Sequence, residues 1–86
     1  MREINEKIKV IAVFEPGQLP RPYKFKIKDN IGNEQTIYVD EIESIYKWSD
    51  AFLVYSCKSY FENNTSRTYE LKYYKKECQW ELVKVK

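Results

Sequence analysis

Apolar and charged side chains take turns along Tyr23-Lys24-Phe25-Lys26-Ile27-Lys28 and again along Thr68-Tyr69-Glu70-Leu71-Lys72-Tyr73. Successive side chains of an extended backbone point to opposite faces, so this period of two predicts strands with one apolar and one charged face. Ile8-Lys9-Val10-Ile11-Ala12-Val13-Phe14 is β-branched and almost continuously apolar, the pattern of a central strand covered on both sides. Glu15-Pro16-Gly17 signals a turn after it, and Pro20 and Pro22 keep the following segment extended. Asp29-Asn30-Ile31-Gly32-Asn33 predicts a reversal that returns the chain through Gln35-Thr36-Ile37-Tyr38-Val39. Between Asp40 and Trp48, Ile42, Ile45 and Tyr46 fall at helical spacing, yet their β-branching and the aromatic that follows favour a bent or bulged strand. Ala51–Cys57 and the second alternating strand form a hairpin about Glu62–Ser66, and Lys75–Cys78 turns the chain into Gln79–Val85. The apolar phase slips there between Leu82 and Val83, which predicts a bulge or a strand serving two surfaces.

The expected fold is all-β: an antiparallel meander of about six to seven short strands curling into a small barrel or a strongly twisted sheet. A flat sheet this small would leave an apolar face and both edges wet. With 86 residues the chain is expected to form one domain, 1–86, and its 43% hydrophobic and 16% aromatic content suffices for a packed core.

Charge changes the picture little. Fifteen Lys and Arg (15) face 13 Asp and Glu, and a net +2 is too small for strong non-specific attraction to nucleic acid or anionic membrane, so a basic site requires local clustering. The first residues carry acidic groups and no apolar run of signal-peptide length, and no segment approaches the ~20 apolar residues of a membrane span. The expected address is the cytoplasm, where Cys57 and Cys78 stay reduced and the sequons in Asn63-Asn64-Thr65-Ser66 carry no sugar.

Several chemistries lack their residues. There is no histidine, neither cysteine belongs to a Cys-x-x-Cys pair, and two glycines, Gly17 and Gly32, cannot build a phosphate-cradling loop. The sequence therefore predicts no enzyme, no metal and no cofactor. Two residual candidates exist for a small enzyme or ion site. Cys57 ends an apolar strand, where a thiol packs rather than ionises. Asp40, Glu41 and Glu43 lack the Asp-x-Asp-x-Asp-Gly loop of a calcium site and read as a solvated turn.

Binding is what remains. The leading expectation is a non-catalytic module for a protein partner, on the strength of eight tyrosines and of the proline loop Gly17–Pro22, which would present Leu19 and Arg21 on a stiff backbone. The alternative is single-stranded nucleic acid. Lys24, Lys26 and Lys28 project in one row at ~7 Å intervals, Lys72, Lys75 and Lys76 extend it if the two alternating strands share a surface, and Tyr74 or Tyr60 supplies a stacking ring. The plainer role of such lysines is solubility and protection of a strand from edge-to-edge pairing.

Ile8–Phe14, Pro22-Tyr23-Lys24-Phe25, Tyr69-Glu70-Leu71-Lys72-Tyr73 and Cys78-Gln79-Trp80, in that order, resemble a group of short uncharacterised proteins of Gram-positive, clostridia-type bacteria. The resemblance implies a bacterial cytoplasmic protein and no mechanism.

Overall fold

The computed structural model describes residues 2–29, 31–46 and 49–86. Eight strands follow one another among the described residues: β1 (Arg2–Ile8), β2 (Val10–Val13), β3 (Arg21–Lys28), β4 (Glu34–Tyr38), β5 (Glu41–Tyr46), β6 (Phe52–Phe61), β7 (Thr65–Tyr74) and β8 (Gln79–Val85). Among the described residues there is no α-helix; one 3-10 turn, Glu62–Asn64, joins β6 to β7. The turns use the residues the sequence supplies for them. Gly17 has φ 76°, with Pro16 ahead of it and Gln18 N–H donating to Glu15 C=O, and Asn63 and Asn64 adopt positive φ at the β6–β7 reversal. In the β3–β4 turn the Asp29 carboxylate accepts from the Ile31 and Asn33 amides and Gly32 has φ 87°. Asn30 of that turn lies outside the described residues, as do Lys47 and Trp48 at the end of the predicted 40–48 strand.

All pairing is antiparallel and falls into two sheets, β1-β8-β7-β6-β5 and β2-β3-β4. Neither sheet is closed into a barrel. The chain passes between them at two short bends, at Lys9 between β1 and β2 and at Val39–Asp40 between β4 and β5. The first bend corrects the reading of Ile8–Phe14 as a central strand: β1 is an edge of the large sheet and β2 an edge of the small one. Ile8, Val10 and Ala12 turn inward, while Ile11 and Val13 are left exposed because no layer covers the small sheet from outside.

The core lies between the sheets. Leu53, Tyr55 and Cys57 of β6 stand opposite Tyr73, Leu71 and Tyr69 of β7, Trp80 and Leu82 add the β8 side, and Phe25 and Ile37 close it from the small sheet. Phe25 meets Tyr69 edge-on at 5.2 Å, and Tyr73 lies 4.7 Å from Trp80. Two polar bonds fix the layers to each other: the Tyr55 hydroxyl donates to Pro20 C=O and the Ser59 hydroxyl to Tyr38 C=O.

Both predicted irregularities are present. Ser44 follows a register shift in β5, so this strand is bulged as its mixed pattern suggested. In β8, Leu82 pairs with Leu71 but Lys84 with Glu70, which leaves Val83 as the extra residue and lets Leu82 and Val85 both face inward.

Candidate functional site

Alternation along β3 buries Phe25 and turns Lys24, Lys26 and Lys28 to the outer face of the small sheet. The pairing fills that face from both sides. Lys24 lies between Ile11 of β2 and Tyr38 of β4, and Lys26 stands beside Thr36 and Lys28 beside Glu34. A register shift frees Tyr23 to join the same face, where it meets Tyr38 edge-on at 5.9 Å. The Lys24 ammonium sits 5.5 Å from the Tyr38 ring centre and 5.9 Å from that of Tyr23, within cation–π range. Ile11 is 57% exposed, Tyr23 51% and Tyr38 50%, and Val13 continues the patch. No ion pair engages Lys24, Lys26 or Lys28 among the described residues.

The face thus offers two half-exposed aromatic rings and two aliphatic side chains around a cationic row without ion pairs among the described residues. A depression of about 340 Å³ lies between β2 and β3, lined by Lys9, Val10, Ile11, Lys24, Phe25, Lys26 and Thr36. Such a surface holds anionic groups by charge and flat or apolar groups by contact.

The other candidates distribute unevenly. Arg21 is exposed at the start of β3, opposite Val13, and so borders the lysine face. Leu19 differs from the expectation for the proline loop: it is half-buried against the core, next to Pro20, whose carbonyl accepts from the Tyr55 hydroxyl. Lys72 projects from the opposite side of the molecule. Its neighbours Leu71 and Tyr73 face the core, so Lys72 occupies the outer face of the large sheet, 4.1 Å from the Phe52 ring centre and 4.9 Å from that of Tyr74. Tyr60 is on that outer face too, beneath the Lys58 ammonium. The two alternating strands therefore do not share a charged surface, and Lys72 and the Tyr74 and Tyr60 rings are separated from the β3 row by the whole core. Tyr23, Tyr38 and Ile11 take the place beside the row, and the signal for them is the phase of β2 and β4 against β3, which only the register supplies.

Neither residual catalytic candidate has the surroundings of a catalytic group. Cys57 is fully buried, and burial, reinforced by the charge of Glu43, pushes its thiol up to about 12. Asp40 accepts from the Tyr60 amide, Glu41 from the Tyr60 hydroxyl and Glu43 from the Thr68 hydroxyl, so the acidic turn ties β5 to its neighbours. No group of three His, Cys, Asp or Glu among the described residues converges as a metal site would. No described helix is long and apolar enough to cross a membrane.

Comparison with known proteins finds no matching family model, curated protein or solved structure.

Proposed function

We propose that this chain is a non-catalytic binding module that holds single-stranded nucleic acid on the outer face of β2-β3-β4. The observation that carries this reading is the Lys24-Lys26-Lys28 row running past the exposed Tyr23 and Tyr38 rings. Lysines at ~7 Å intervals follow an extended phosphate backbone, and uncovered rings accept bases without regard to sequence. Arg21 adds a cation at the aromatic end. The scaffold is barrel-like in this reading: the β1–β2 ribbon pairs with both β8 and β3, and the β4–β5 ribbon with both β3 and β6, around one core. Its setting is the bacterial cytoplasm that the sequence resemblance implies.

A protein partner on the same face is the second reading, favoured by the exposed Ile11 and Val13, which a nucleic-acid backbone does not require. Fluorescence anisotropy with a labelled oligothymidylate separates the two. Three phosphate contacts predict a log–log salt slope of roughly −2, a loss of about tenfold to twentyfold in affinity between 50 and 200 mM salt. The variant Lys24→Gln/Lys26→Gln/Lys28→Gln abolishes that dependence, and Lys72→Gln leaves it in place. Absence of binding, or affinity that the triple variant does not change, contradicts nucleic-acid recognition.

A further inference from the structure

At the end of the molecule that carries Lys28 and Arg67 the two sheets diverge, and a cleft of about 670 Å³ opens between their inner faces. Its floor is apolar: Ile4, Ile27, Leu82 and Val85 line it together with Tyr69. These residues face inward with the core, yet Ile4, Ile27 and Val85 are only half-buried because the opposite sheet has moved out of reach. Inward-facing aliphatic surface left open to water is unfavourable in a domain this small, and a cleft of this volume is in the range of small-molecule sites.

The rim is charged, and its groups are unequally engaged. The Asp29 carboxylate is held by the amides of its own turn at 2.9 and 3.0 Å, and the Lys86 ammonium lies 3.9 Å from Glu70. Glu6 is the remaining anion on the rim. Arg67 and Lys28 form no ion pair among the described residues, and the Arg67 charge acts on the Tyr69 hydroxyl, opposing the rise that burial imposes on it. A free guanidinium thus stands beside a phenol above an apolar floor.

We propose that this inter-sheet cleft binds a small amphiphile with an anionic head, a carboxylate or phosphate monoester at Arg67, and a short alkyl tail against Ile4, Ile27, Val85 and the Tyr69 ring. The inference stands apart from the nucleic-acid reading, since it uses the inner faces of the sheets rather than the outer one.

Octanoate below its micelle-forming concentration is the probe, titrated into the full chain and followed by NMR. The expected result is saturable shifts at Ile4, Ile27, Tyr69, Leu82 and Val85. Octyl phosphate in a parallel titration identifies the preferred head, while octanol and acetate bind at least tenfold more weakly. Arg67→Gln weakens octanoate at least tenfold. Gln35→Trp, at an exposed position on the cleft wall, abolishes binding, and Lys24→Gln on the outer face leaves it unchanged. Both cleft substitutions are at exposed sites, and unchanged signals from core residues such as Leu53 and Leu71 check that each variant is folded. No saturable shift, octanol binding as tight as octanoate, or folded Arg67→Gln and Gln35→Trp variants that bind normally overturns the proposal.

Discussion

Cys57, Tyr55 and Tyr46 are acids that the fold holds in their neutral forms. Burial raises the Cys57 thiol from its ordinary 9 to about 12, with a contribution from Glu43. Burial also raises Tyr55 and Tyr46 from 10 to about 12, and the bond from Tyr46 to Glu70 adds to its rise. Below pH 9 these groups are protonated in both folded and unfolded chains and make no difference. Between 9 and about 12 the unfolded chain loses protons that the native one keeps, so stability falls as pH rises, for Cys57 by up to about 1.4 kcal/mol per pH unit. Urea midpoints should therefore be flat from pH 7 to 9 and drop above it, with a smaller drop in Cys57→Ala; an unchanged midpoint at pH 10.5 contradicts the placement of these groups. Inside and outside also differ in cost. Leu71→Ala, which leaves a cavity at the centre of β7, should lose about 2–5 kcal/mol, and Ile11→Ala on the open face within about 0.5 kcal/mol. At this scale the sequence is readable where side chains alternate: the burial of Phe25, Tyr69 and Leu71 and the exposure of Lys26 and Lys28 follow from period alone. Leu19 was not readable, because it packs on a core assembled from distant strands, where the Tyr55 hydroxyl reaches the carbonyl of adjacent Pro20 across 35 residues.

Strands whose flanks carry turn residues are equally legible as elements. The β3–β4 and β6–β7 hairpins sit where Asp29–Asn33 and Glu62–Ser66 predict them, and the bulged strand β5 replaces the helical alternative for Asp40–Trp48 as far as the chain is described. The bend at Lys9 has no such mark. Neither Gly nor Pro stands there, and a continuous apolar run serves one buried strand or two successive edges equally well. The bulge at Val83 accommodates the phase slip of β8. Deleting Val83 would remove the unpaired residue and leave Leu82, Lys84 and Val85 in strict alternation opposite Leu71, Glu70 and Tyr69, so Lys84 stays outside, Val85 stays inside and the deletion should cost no more than about 1 kcal/mol. A urea midpoint lowered by the equivalent of several kcal/mol in the deletion variant would contradict this register.

Taken whole, the molecule has one core shared by two open sheets, with Phe25 against Tyr69 and two side-chain hydrogen bonds joining the layers. It should unfold in one step, with far-ultraviolet and aromatic circular dichroism giving coincident urea transitions; separate transitions would mean that each sheet is stable alone. All-β class and hairpin order were legible at this scale, whereas the faces on which Lys72 and the β3 lysines emerge depend on how the sheets stack. That stacking leaves the outer face of β2-β3-β4 uncovered, the face on which we propose that nucleic acid is held. Chemical-shift mapping during titration with oligothymidylate tests that placement most directly. Perturbations should concentrate on residues 11–13, 21–28 and 36–38, with Lys72, Tyr74 and Tyr60 unaffected; perturbations centred on the outer face of the large sheet, or none at saturating oligonucleotide, would rule out nucleic-acid binding on the β3 lysine face.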